Sequence, residues 1–99
     1  MKTYKVLLIG AGNRGNRYTG IMHKESEKFK VVAVAEPIDR RRNSIKEKHG
    51  IADDMCFNSW EEALSQPKLA DLAIISTMDE MHYEPAMKAI SLGYDLLLE

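Results

Sequence analysis

Cysteine is nearly missing from this sequence, which has Cys56 alone among 99 residues. One thiol excludes an internal disulfide and any multi-cysteine metal site, and it fits a reducing compartment. Long apolar runs are missing too. Nothing approaches the roughly 20 consecutive apolar residues that cross a bilayer. Val6 to Ile9 is too short for a signal-peptide core, and it runs into a glycine turn instead of a cleavage site. The chain is therefore expected in the cytoplasm, with no membrane partner. Neither sign of charge is in excess. The net charge is -1, and without a clustered basic surface no nucleic-acid partner is expected.

What is present is an ordinary globular mixture, 44% hydrophobic and 29% charged, so disordered and collagen-like classes are excluded. The length suits one domain, residues 1–99. A chain of this size can bury roughly two thirds of its unfolded surface, which makes a modest core.

Short apolar runs alternate with longer amphipathic segments. Tyr4–Ile9 reads as a first strand, and its continuous Val6-Leu7-Leu8-Ile9 suits a strand covered on both faces. Arg14 to about Glu25 reads as a helix, with Tyr18, Ile21 and Met22 at helical spacing. Phe29–Ala35 is a second strand, ended by Glu36 and Pro37. A helix follows from about Asp39 to His49, with Gly50 as its stop. Met55-Cys56-Phe57 is a short third strand. Ser59-Trp60-Glu61-Glu62 has the Ser-x-x-Glu capping box that starts a helix, and this helix must end before Pro67. Asp71–Ser76 is the fourth strand. Pro85 fits the first turn of a last helix that stops at Gly93, and Tyr94–Leu98 is the fifth strand.

This alternation predicts an α/β fold: a parallel sheet with right-handed crossovers, helices on both faces, and strand order 3-2-1-4-5. Ligands of such sheets bind beyond the C-terminal strand ends, at the switch point between the first and fourth strands. Gly10 to Gly15, Glu36 to Arg40 and Ser76 to His82 are expected there.

Gly10-Ala11-Gly12-Asn13-Arg14-Gly15 follows the first strand directly. Gly10 lets the chain turn sharply, Gly12 lets backbone approach a phosphate, and Gly15 lets the next helix pack close to the strand. The amides and positive dipole end of that helix then face an anion, such as a dinucleotide pyrophosphate. A strand before, a helix after and an acid past the second strand are the context this Rossmann-type motif needs, and Glu36 is that acid. Its carboxylate accepts two hydrogen bonds from a ribose diol and repels a 2′-phosphate, which favours NAD and leaves NADP possible. Otherwise Glu36 is a polar strand end before a proline. Arg40-Arg41-Arg42 opposes the dipole at a helix start. These arginines read as a solvated face, or one of them stacks on adenine or meets a 2′-phosphate. His82 is the only histidine expected at the ligand edge, as a ligand contact or a cap of the last helix. His23 and His49 read as surface or packing residues, Cys56 as a buried small hydrophobe, and Met55, Met78, Met81 and Met87 as packing. No catalytic triad, carboxylate pair or metal site can be argued from spacing.

Four motifs in order give a more specific signal: Gly10-Ala-Gly-Asn-Arg-Gly15, Val32-Ala-Val-Ala-Glu-Pro37, Thr77-Met-Asp-Glu-Met-His82 and Gly93-Tyr-Asp-Leu-Leu-Leu-Glu99. Together they resemble the N-terminal domain of the Gfo/Idh/MocA oxidoreductases, relatives of glucose-fructose oxidoreductase and inositol dehydrogenase, over essentially the whole chain. In that family the loop after the fourth strand commonly reads Thr-Pro-Asn-x-x-His and lies against the nicotinamide-ribose half of the cofactor. Thr77 and His82 match it, while Met78 and Asp79 replace the proline and asparagine. Glu99 matches the first residue of the family's Glu-Lys-Pro. The resemblance implies cofactor contacts from Gly10 to Gly15, Glu36, Arg40, Arg41, Ser76, Thr77, Met78, His82 and Glu99.

It further implies that this is the cofactor domain of a longer enzyme. That enzyme would move a hydride between NAD(P) and a sugar, polyol or related carbinol, with its catalytic residues and substrate domain beyond Glu99. The 99 residues alone would bind cofactor weakly and turn nothing over. The fifth strand would be an exposed apolar edge, through which self-association is expected. Two other functions stay open on the same fold. One is a dinucleotide-sensing regulator without turnover. The other is an S-adenosylmethionine methyltransferase, which Gly15 and the fourth- and fifth-strand motifs disfavour.

Overall fold

Val6, Leu7, Leu8 and Ile9 are all fully buried, and the chain is arranged around them. A computed structural model describes residues 3–10, 28–76 and 83–98. The helix expected from Arg14 to about Glu25 lies outside the described residues. Strand β1, Tyr4–Ile9, pairs in parallel with β2, Phe29–Ala35, on one side and with β4, Leu72–Ile75, on the other. Strand β3, Cys56–Phe57, extends the sheet beyond β2, and β5, Asp95–Leu98, beyond β4. The order is β3-β2-β1-β4-β5, as the sequence predicts.

Successive side chains of a strand face opposite ways, so an all-apolar strand feeds two cores. Leu7 and Ile9 join Ala33, Ala35, Phe57, Ala73 and Ile75 on one face. Helix α2, Trp60–Leu64, supplies Ala63 and Leu64 there, and helix α3, Tyr83–Ser91, supplies Ala86 and Ala89. Val6 and Leu8 face the other way with Val31, Val34 and Ile74. That core is closed by Ile45, the one buried residue of helix α1, Asp39–His49, and by Ile51 just past its end. Strand β2 has one residue more than β1. Val6 pairs with Val31 but Leu7 with Ala33, so Val32 is an inserted residue. Such an insertion shifts which face the following residues present, and Ala33 and Ala35 accordingly fall in the core opposite to Val31.

Helix boundaries follow the local signals. Gly50 ends α1 in the left-handed region, at φ 63°, and its N–H donates to the Lys46 carbonyl. A side chain at that φ would be strained. Ser59 Oγ accepts from the Glu62 amide at 3.2 Å and starts α2. Pro85 sits in the first turn of α3 and is buried.

Three strands are shorter than expected. Met55 lies in a 3₁₀ turn, Asp53–Met55, because its amide donates to the Ala52 carbonyl at 3.0 Å and is not available to the β2 ladder. Tyr94 stays outside β5 because its amide is taken by Ala89 of α3. Its buried ring packs in the core while its hydroxyl accepts from the Leu69 amide at 2.8 Å. Asp71 and Ser76 flank β4 and bond to Lys5 and Ile9 of β1 through their amides. Among the described residues no helix is long and apolar enough to cross a membrane.

Candidate functional site

The register brings the ends of four strands to one level. Ile9 pairs with Ala35 on one side and Ile75 on the other, and Ala35 pairs with Phe57. Backbone bonds then tie the next residues across the sheet. Gly10 donates to Ala35 at 2.8 Å, Ser76 to Ile9 at 2.8 Å, and Glu36 to Phe57 at 3.0 Å. Gly10, Glu36 and Ser76 are therefore held side by side at the C-terminal edge, beside the switch point between β1 and β4.

Gly10 is buried and takes φ 88°, a conformation that side chains strongly disfavour and glycine permits. Ala11, Gly12, Asn13, Arg14 and Gly15 lie outside the described residues. So do Thr77, Met78, His82 and Glu99.

Glu36 is the only buried charged residue among those described, 4% exposed. Its Oε2 accepts from the Ile38 amide at 2.9 Å. A carboxylate has about four acceptor sites, so this bond does not by itself exhaust it. Beside it Ile38 is 43% exposed, an apolar side chain at the rim of a polar edge.

The three arginines separate. Arg40 and Arg41 are exposed at the start of α1. Arg42 turns inward and is only 14% exposed. Its Nη1 donates to the Glu36 carbonyl at 2.7 Å, and its Nη2 pairs with the Asp39 carboxylate. Arg42 thus does not belong to a solvated face. The signal for it was the i,i+3 spacing from Asp39, which sets the two side chains next to each other on a helix.

Away from this edge, where β3 begins, Lys46 pairs with Asp53 and fastens the last turn of α1 to the 3₁₀ turn. The hydrogen bond and charge of each partner hold Asp53 below its ordinary pKa and Lys46 above its own. Cys56 is half-buried, less enclosed than expected, with its Sγ 3.6 Å from the Ala52 carbonyl. Burial pushes its thiol up, against the pull of nearby Lys46. A thiol kept protonated is a poor nucleophile. No group of three His, Cys, Asp or Glu side chains suited to a metal occurs among the described residues.

The edge sets a buried carboxylate, Glu36, beside a glycine with positive φ, Gly10. The described residues there include no acid–base pair. A search of the curated proteins returns no match. Solved structures give the fold. The scyllo-inositol dehydrogenase from Lactobacillus casei superposes with TM-score 0.87 at 16% identity, over 98% of this chain and 28% of that one. The WlbA dehydrogenase from Bordetella pertussis, solved with NADH and UDP-GlcNAcA, gives TM-score 0.84 at 16% identity, over 98% and 28% of the two chains. The aldose-aldose oxidoreductase from Caulobacter crescentus, solved with glycerol, gives 0.79 at 17% identity, over 98% and 29%. This chain therefore spans less than a third of their length. At the level of sequence, residues 4–99 match the Gfo/Idh/MocA oxidoreductase family, NAD-binding Rossmann fold, and the chain belongs to that family.

Proposed function

We propose that the chain is the dinucleotide-binding domain of an oxidoreductase that transfers a hydride between NAD and a sugar, polyol or related carbinol. The observation that carries this reading is the meeting of Gly10, Glu36 and Ser76 at one sheet edge, tied through Ala35, Phe57 and Ile9. The residues fit the cofactor. The positive φ of Gly10 suits the sharp turn that the glycine motif needs, and Gly10 to Gly15 would hold the pyrophosphate. Glu36 would take the adenosine ribose diol, because a buried carboxylate is stabilised by each donor it gains. Exposed Arg40 and Arg41 would flank the adenosine end. Ser76, with Thr77, Met78, His82 and Glu99, would meet the nicotinamide half. When bound, the nicotinamide supplies hydride acceptor and donor chemistry.

The substrate pocket and acid–base groups are assigned to a further domain, because this chain spans 28% of the inositol dehydrogenase that it superposes on. The structural relatives above, an inositol and an aldose enzyme by name and a dehydrogenase solved with UDP-GlcNAcA, support the substrate class. The near absence of cysteine supports a cytoplasmic location. Strand β5 at the sheet edge supports self-association of the chain. A strictly monomeric sedimentation profile at high concentration overturns that part.

NAD rather than NADP follows from Glu36, whose charge opposes a 2′-phosphate, and from Arg42, whose guanidinium is already paired. Calorimetric titration of both dinucleotides is expected to show NAD binding about tenfold tighter or more, a difference of ~1.4 kcal/mol or more. Tighter binding of NADP overturns the assignment.

A further inference from the structure

We infer that Arg42 is a positioning residue for the adenosine ribose, acting through Glu36, and that it is not a phosphate ligand. The inference rests on the ribose role proposed for Glu36. The turn from Glu36 to Asp39 carries that carboxylate, yet packing does little to hold the turn. Pro37, Ile38 and Asp39 are all exposed. Ile38 is the N-cap of α1 and makes no side-chain capping bond, so the usual device that fixes a helix start is missing.

Hydrogen bonds take its place. The Glu36 carboxylate folds back onto the Ile38 amide at 2.9 Å, which closes the turn from within. The Arg42 guanidinium closes it from outside, on the Glu36 carbonyl at its start and the Asp39 carboxylate at its end. One planar group thus spans the whole turn. Both ends of the Glu36 residue are fixed, the main chain by Arg42 and the side chain by Ile38. A guanidinium holds two acceptors in a set geometry. A lysine ammonium is a single point of charge on a flexible stem and does not reproduce the fork. Arg42→Lys therefore keeps the charge and removes the staple.

A double-mutant cycle separates the roles. NAD and NADP are titrated by calorimetry into the chain and into its Arg42→Lys, Glu36→Gln and doubly substituted forms, with the thermal midpoint of each recorded. Arg42→Lys is expected to weaken NAD by about threefold to tenfold, the size of coupling between groups in contact. It is expected to narrow the preference for NAD over NADP. In the Glu36→Gln background the same substitution should leave NAD affinity unchanged, while it moves the thermal midpoint equally in both backgrounds. Equal weakening of NAD in both backgrounds overturns the inference, since Arg42 would then act without Glu36. Weakening of NADP with NAD unchanged also overturns it, since Arg42 would be a phosphate ligand. If Glu36→Gln weakens NAD but Arg42→Lys does not, the inference fails and the ribose reading stands. If Glu36→Gln leaves NAD binding unchanged, the ribose reading fails, and the inference with it.

Discussion

Replacing Leu8 by alanine is expected to destabilise the fold by about 3–4 kcal/mol, within the range for leucine-to-alanine changes in cores. Leu8 is 0% exposed. It pairs with Val34 of β2 and Ile74 of β4, so neighbours flank it on both sides within the sheet. Among the described residues its face holds seven buried residues and the other face thirteen. Helix α1 covers that face through Ile45 alone. Collapse of α1 into the space left by the leucine would carry polar side chains inward, so the cavity is expected to stay largely open. Domains are stable by only about 5–15 kcal/mol, so the loss is a large share of the total. Urea unfolding should show a lower midpoint with an unchanged slope. Tyr4→Ala is the comparison. Tyr4 starts the same strand but is 46% exposed, and its main aromatic partner is Phe29 at 6.1 Å. Losing that pair is expected to cost about 1 kcal/mol. If both variants unfold at the same midpoint, β1 is not the centre of the core.

The same strand shows why so much of the fold can be read from the sequence. Val6 to Ile9 is apolar at every position, and a strand with that pattern must be covered on both faces. With helices between successive strands, few topologies remain. Signals that work over three or four residues were equally legible. Gly50 ends α1 and Ser59 starts α2, each through a bond within its own segment. Features set by distant partners were not. Tyr94 is apolar enough for a strand, but its amide is claimed by Ala89. Val32 is inserted beside β1, and a valine looks the same whether it is inserted or paired. Within the site, the strand ends Gly10, Glu36 and Ser76 could be placed because their positions follow from topology. The separation of Arg42 from Arg40 and Arg41 could not, because three identical residues in a row differ only in helix phase. Each step along a helix turns about 100°, and the third arginine alone meets the Glu36 carbonyl.

Gly10→Ala tests the turn that both the fold and the proposed function depend on. At φ 88° an alanine Cβ crowds the neighbouring carbonyl, which costs about 1–2 kcal/mol. The chain can relieve that strain only by rotating the backbone that follows Ile9. Gly10 is pinned on its amide side by Ala35, so the rotation must fall on the residues that lead into Gly12 and Gly15. Those are the residues proposed to face the pyrophosphate. NAD affinity is therefore expected to drop by about tenfold or more, ~1.4 kcal/mol or more, in addition to the loss of stability. Gly50→Ala separates the two effects. Gly50 also has positive φ, 63°, and a Cβ there would meet nothing within 4 Å. It ends α1 and has no part in the ligand edge. Its substitution should lower stability by about 1 kcal/mol through backbone strain alone and leave NAD binding as it was. Equal NAD affinity in the two variants would mean that the exit from β1 does not shape the phosphate site, and the cofactor would have to be held from elsewhere along the edge.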